Sequence, residues 1–196
     1  MHRLILLACS LTTAFAAEHI FSVGIKGGVP LTDVLSDRTI TGVDTITHVF
    51  SGSKNYLIGP TVELNLPFGF SVEADALYRP ISLTTETTVF PRPLTRISED
   101  IHSAEFPILG KYRFLHTPIV KPYVEAGPIF RYVAARASYL SNAGFAIGGG
   151  IELKALVIKL SPEIRFSRWG SDASTSIVNA PPSNLNQAEF LIGLSF

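Results

Sequence analysis

The sequence predicts an all-β fold: an eight-stranded antiparallel up-and-down barrel that crosses a membrane and keeps its charges inside. Three observations carry this. The first is the parity of charge in EFPILGKYRFLHTPIVKPYVEAGPIFRY, residues 105–132. Glu105, Lys111, Arg113, Lys121, Glu125 and Arg131 occupy odd positions, while Phe106, Ile108, Tyr112, Phe114, Val124, Ala126, Phe130 and Tyr132 occupy even ones. Successive side chains of a strand point to opposite faces, so each limb has one charged and one apolar face. The second is composition. Charged residues are 16% of the 196-residue chain, against roughly 25% in a soluble domain, while the hydrophobic fraction is an ordinary 46%. An outer surface partly in contact with lipid accounts for both. The third is rhythm: amphipathic stretches of about ten residues are separated, in strict alternation, by longer polar loops and tight turns, the pattern of a membrane barrel.

Taken in order, residues 1–16 read as a signal peptide. Arg3 supplies the positive start, 4–11 the apolar core, and Ala14-Phe15-Ala16 a small-residue cleavage site. The run is too short for a spanning helix, which needs about 20 apolar residues. Its Cys9 is the only cysteine, so no intramolecular disulfide is expected. The barrel domain is then 17–196.

The first strand is expected over 19–29, with Phe21, Val23 and Ile25 outward and Lys26 inward, ended by Pro30. A polar loop follows to Asn55, with strand-like character at 40–50. The second strand, 56–66, points Glu63 inward and ends at the turn Pro67-Phe68-Gly69. The third, 70–79, points Glu73, Asp75 and Arg79 inward. A second large loop spans 80–100. The fourth and fifth strands, 101–114 and 120–133, are the opening hairpin, joined at His116-Thr117-Pro118. A brief loop, 134–142, leads to the sixth strand, 143–153, with Glu152 inward. After the turn Lys154-Ala155 the seventh, 156–168, points Lys159, Glu163 and Arg165 inward. Arg168 breaks the parity at the loop end, where a lipid head group accepts it. A fourth loop, 169–183, precedes the last strand, 184–196, with Glu189 inward. Both termini lie on the short-turn side.

The charges assigned to the lumen are therefore Lys26, Glu63, Glu73, Asp75, Arg79, Glu105, Lys111, Arg113, Glu125, Arg131, Glu152, Lys159, Glu163, Arg165 and Glu189. An eight-stranded barrel is just wide enough for side chains to fill it, and buried charges must be paired. The expectation is a structural, salt-bridged plug, the alternative a narrow ion or solute path. Aromatic side chains fall into two girdles: Phe21, Phe68, Phe70, Tyr112, Phe114 and Phe196 on the turn side, and Tyr56, Tyr78, Phe130, Tyr132, Phe166 and Trp169 on the loop side. Pro60, Pro107, Pro128 and Pro162 lie inside proposed strands. Each removes a ladder hydrogen bond, so bulges or interrupted pairing are expected there.

Chemistry finds little footing. The net charge is zero, with no basic excess for nucleic acid. The histidines show no metal-ligand spacing, and no cofactor motif is present; Gly148-Gly149-Gly150 reads as close strand packing rather than a phosphate loop. His102, Ser103 and Glu105 are the single hint of a catalytic triad, but neighbours in a strand point to opposite faces.

EFPILGKYR (105–113) with KPYVEAGP (121–128) resembles the central hairpin of the PorT-like outer-membrane β-barrel family, and LSPEIRF (160–166) that family's penultimate strand. The GGGIE run at 148–152 and the terminal Phe196 agree. The resemblance implies a bacterial outer-membrane location and no shared reaction. The terminal aromatic resembles the signal read by the barrel-assembly machinery. Further expected partners are membrane lipid, lipopolysaccharide and an extracellular or periplasmic protein. The expected role is structural or surface-interacting; a transport or secretion accessory and a lipid-modifying hydrolase are the alternatives.

Overall fold

The computed structural model describes residues 20–34, 38–42, 45–53, 56–89, 95–115, 117, 119–134, 140–155, 157–170 and 184–196. The expected signal peptide, 1–16, and most of the fourth loop lie outside them. Eleven strand segments form one sheet: β1 (Phe21–Pro30), β2 (Arg38–Thr41), β3 (Thr45–Ser53), β4 (Leu57–Asn65), β5 (Phe70–Asp75), β6 (Leu77–Val89), β7 (Thr95–Arg113), β8 (Val120–Val133), β9 (Ala143–Ala155), β10 (Ile158–Trp169) and β11 (Asn186–Ser195). β5 and β6 lie end to end, parted at Ala76, and act as one wall strand. The wall runs β1–β11–β10–β9–β8–β7–(β5, β6)–β4 and closes through β1–β4 pairing, with every pairing antiparallel. This is an eight-stranded closed barrel, as the sequence predicts.

The wall is inside out relative to a soluble domain. Phe145 is 55% exposed and Ile164 59%, while Arg165 is 0% and Glu189 1%. Alternation makes this happen: in β8 every odd position from Tyr123 to Arg131 is buried and every even one is exposed. The exposed apolar side chains form the belt that lipid covers.

The four strand prolines produce interrupted pairing without bulges. β7 and β8 pair at Pro107↔Ile129 and resume at Gly110↔Ala126, in the same register, with a lapse opposite Pro128. β9 and β10 lapse between Leu160↔Leu153 and Glu163↔Gly150, beside Pro162. β7 lapses against β5 and β6 between Ile108 and Glu105, around Pro107. β4 lapses between Thr61↔Asp75 and Ile58↔Tyr78, around Pro60. Each proline stays in register with its other neighbour: Ile25↔Pro60, Pro107↔Ile129, Pro128↔Phe145, Pro162↔Ile192. One missing N–H costs a ladder bond on one side only, because strand hydrogen bonds point alternately left and right. Gly59 and Gly127 precede two of these prolines. A Cβ there would sit 1.8 Å from the Ala76 carbonyl oxygen and 2.1 Å from that of Ile108, so only glycine admits the neighbouring strand.

Two expected loops are largely strand. The second large loop, expected over 80–100, is the upper part of β6 and β7, paired from Leu77↔Glu105 to Thr87↔Thr95. The strand-like part of the first loop is β2 and β3, and β3 pairs with β6 from Thr45↔Val89 to Ser53↔Ile81. β3 ends at Ser53, opposite Ile81, and β4 begins at Leu57, with Ile58 opposite Tyr78 on the same β6 neighbour. β2, β3 and the upper parts of β6 and β7 thus make a four-stranded sheet standing beyond the barrel on the long-loop side. Threonine, β-branched, favours strand, but with both faces polar it hides the amphipathic alternation.

At the opposite end the turn Pro67–Gly69 places Phe68 (φ 64°) and Gly69 (φ 82°) in the left-handed region. Glycine takes that conformation freely; phenylalanine does so rarely.

The lumen as candidate functional site

The inward charges gather in tiers, because strand tilt brings residues distant in sequence to the same height. Nearest the short turns, Arg113 is clamped between Glu63 at 2.5 Å and Glu152 at 2.8 Å. Ser71 donates to Glu63 at 2.6 Å and accepts from Arg113 at 3.2 Å.

The middle tier is the densest. Lys26 binds Glu73 and lies 3.0 Å from Glu163 and 3.4 Å from Asp75. Lys111 binds Glu73 and lies 3.8 Å from both Glu63 and Glu125. Arg165 reaches Glu163 at 2.7 Å, Asp75 at 3.0 Å, Glu125 at 3.2 Å and Glu73 at 3.5 Å. Tyr123 donates to Glu163 at 2.8 Å and lies under the Lys111 ammonium, 4.3 Å from the ring centre. Thr61 donates to Asp75 at 2.6 Å.

Above it the barrel is filled by apolar side chains: Leu57, Leu77 and Leu191 on one side, and Leu109, Ile129, Ala146 and Trp169 on the other. The upper ionic tier is small and balanced. Arg79 donates to Glu189 at 2.8 Å, Gln187 at 3.1 Å, Glu105 at 3.2 Å and the Thr32 carbonyl at 3.2 Å. Arg131 donates to Gln187 at 2.8 Å and Glu105 at 2.9 Å, and lies 3.7 Å over the Trp169 ring. Val34, Ile81 and Leu140 cover the top. Ions in tiers, separated by packed leucines, occupy the described lumen, and the cavity beside Lys26, Glu63 and Glu73 is only about 10 Å³.

The structure brings together the charges assigned to the lumen from sequence. All are buried except Lys159, which is half-buried at the short-turn mouth. Trp169 is a correction. It is 2% exposed and inside the upper lumen rather than in the aromatic girdle, because its odd position shares the parity of Glu163 and Arg165. Tyr123, Leu109, Ile129 and Leu191 also face inward, and parity with their charged neighbours was the available signal. The other eleven aromatics assigned to the two girdles are exposed. Arg168 is exposed at the top of β10 and donates to Asn186 at 2.7 Å.

Two chemical possibilities are answered by geometry. His102 faces outward and pairs with the Tyr78 hydroxyl at 2.6 Å. Ser103 is buried and donates to the Arg79 carbonyl at 2.7 Å. The wall separates them, and Glu105 belongs to the upper ionic tier. Glu73, Glu125 and Glu163 place carboxylate oxygens within 4.8 Å of one another, a spacing that suits a metal ion. Lys26, Lys111 and Arg165 stand among them and already supply the positive charge.

Comparison with known proteins agrees with this architecture. Residues 14–170 match the family described as outer membrane protein beta-barrel domain. Neisserial surface protein A (NspA) superposes with a TM-score of 0.52 at 12% identity, over 89% of this chain and 94% of that one. OprG from Pseudomonas aeruginosa superposes with a TM-score of 0.52 at 13% identity, over 90% and 93%. At these identities the likeness is one of fold. No curated protein sequence matches the chain.

Proposed function

This chain belongs to the outer membrane protein beta-barrel family, and from that premise we propose that it acts through the surface it presents outside the membrane rather than by passing solute through its lumen. It is a bacterial outer-membrane protein. Short turns of such barrels face the periplasm and long loops the exterior, which puts the β2–β3–β6–β7 sheet on the cell surface. That sheet is the observation that carries the reading. Thr39, Thr41, Thr45, Thr47, Thr84, Thr85, Thr87, Thr88 and Thr95 give it hydroxyls on both faces. A half-buried Glu86 paired with exposed Arg96 at 3.6 Å and a Thr39–His48 hydrogen bond at 3.0 Å cross it. Among the described residues β2 pairs with β3 alone, leaving an edge on which a partner's strand can add.

The filled lumen supports the same reading from the other side, since an open path needs a wider barrel. The EFPILGKYR and KPYVEAGP hairpin supports a place among PorT-like barrels. The exposure of Arg168 at the upper rim supports contact with a lipopolysaccharide phosphate, and that of Phe196 supports recognition by the assembly machinery. Planar-bilayer recording and binding to intact cells test the proposal together, comparing the protein with a variant whose residues 38–53 are replaced by a short linker. Both proteins are expected to remain non-conducting, and only the intact one to bind. Regular single-channel steps from the intact protein, or equal binding by both, would overturn it.

A further inference from the structure

Four cations meet at the periplasmic mouth of the lumen: Arg113 ending β7, Lys121 near the start of β8, Lys154 near the end of β9 and Lys159 near the start of β10. Arg113 is engaged by Glu63 and Glu152. The lysines are not so engaged. Lys154 and Lys159 are direct cross-strand partners, and Lys121 is opposite Glu152, two positions from Lys154 on the same inner face. Residues directly opposite have Cβ atoms about 4.5–5.5 Å apart and diagonal ones about 7–8 Å, and like charges directly opposite, as Lys154 and Lys159 are, destabilise a sheet. All three lysines are half-buried. Among the described residues the ammonium groups of Lys121 and Lys154 have no hydrogen bond or ion pair, and Lys159 reaches only the Ser22 hydroxyl, at 2.6 Å.

The contrast with the tiers above is sharp: Lys26, Arg79, Lys111, Arg113, Arg131 and Arg165 each touch a carboxylate. The turns 66–69, 114–119 and 155–157 contain no Asp or Glu to supply the missing partner. Counting Arg113, Lys121, Lys154 and Lys159 against Glu63 and Glu152 leaves an excess of two positive charges at the mouth. We propose that this mouth binds a phosphate monoester or inorganic phosphate presented from the periplasmic side, held by Lys121, Lys154 and Lys159. The charge of such a group, about −1.5 to −2 near neutral pH, matches the excess. A single carboxylate would cancel half of it. Lysine's compact ammonium on a flexible stem suits a phosphate approached from several directions.

The test uses full-length folded protein in two arms: inorganic phosphate titrated into detergent-folded protein by calorimetry, and phosphocholine nanodiscs with and without phosphatidic acid followed by phosphorus NMR. Saturable binding is expected in at least one arm, and the arm identifies the source as soluble or lipid-borne. Lys154→Ala and Lys159→Ala are each expected to weaken it about tenfold, with Lys154→Arg restoring much of the loss. His102→Ala, on the outer wall away from the mouth, leaves it unchanged. Heat-modifiable gel migration confirms that every variant folds. The absence of saturable binding in both arms, or equal affinity in the Lys121→Ala, Lys154→Ala, Lys159→Ala triple variant, would overturn the proposal.

Discussion

Arg165 sits at the centre of the lumen, fully buried, within 3.5 Å of Glu73, Asp75, Glu125 and Glu163. Its partners come from β5, β8 and β10, so one guanidinium ties three parts of the wall together. Removing one member of a buried ionic cluster leaves charge uncompensated and costs about 3–5 kcal/mol. Arg165→Met is therefore expected to unfold at clearly lower urea than the parent protein in lipid vesicles. Lys159→Met, at the half-buried mouth, should fall within about 1 kcal/mol. The single tryptophan, Trp169, buried under Arg131, reports unfolding by fluorescence. An Arg165→Met midpoint equal to the parent's would show that the cluster is not holding the barrel. At this scale the sequence was half legible. Parity told that Arg165 faces inward, since strand side chains alternate without exception in β10. It could not tell which carboxylates it meets, because that depends on register between strands up to 92 positions apart, as for Arg165 and Glu73. Trp169 was misplaced because its type suggests a lipid interface, although its position did not.

At the scale of the strand, wall geometry is set by glycine and proline acting in pairs. Gly59-Pro60 and Gly127-Pro128 sit where pairing lapses on one side. The proline withholds the N–H, and the glycine lets the neighbouring backbone lean in. Gly127→Val places a side chain against the Ile108 carbonyl, where even a Cβ would come within 2.1 Å, and is expected to cost about 1–3 kcal/mol by overpacking. Gly110→Ala is the control: its nearest neighbour is the Ala126 carbonyl oxygen at 3.7 Å, and its stability should match the parent's. Equal urea midpoints for Gly127→Val and Gly110→Ala would contradict the close-approach account. The prolines were visible in the sequence as trouble, and interrupted pairing was one of two foreseen outcomes. The upper halves of β6 and β7 were not foreseen. Above the membrane both faces of a strand meet water, so TTETT carries no alternation to read, and only its β-branched residues speak for strand. Of the lysines at the periplasmic mouth, parity gave Lys121 and Lys159 an inward face, and only Lys154 was missed. Lys154 reads as a turn residue until its pairing with Lys159 places it at the end of a strand.

For the whole molecule, one inversion explains the rest. Water lies at the two ends, lipid around the wall, and charge within. The fold was legible because a membrane imposes this inversion on every strand that crosses it, and sixteen acids and sixteen bases in the chain leave enough charge to mark the inner face. What the molecule does was far less legible, since its exterior sheet and periplasmic mouth are built from residues that look unremarkable one strand at a time. The inversion itself is open to direct measurement. Single spin labels placed in turn at Tyr123, Val124, Glu125, Ala126, Pro128, Ile129 and Phe130 of β8, in a Cys9→Ser background in lipid vesicles, report collision with oxygen, which concentrates in lipid. The account predicts a two-residue period, high at Val124, Ala126, Pro128 and Phe130 and low at Tyr123, Glu125 and Ile129. Uniform accessibility along β8, or a maximum at the odd positions, would contradict it.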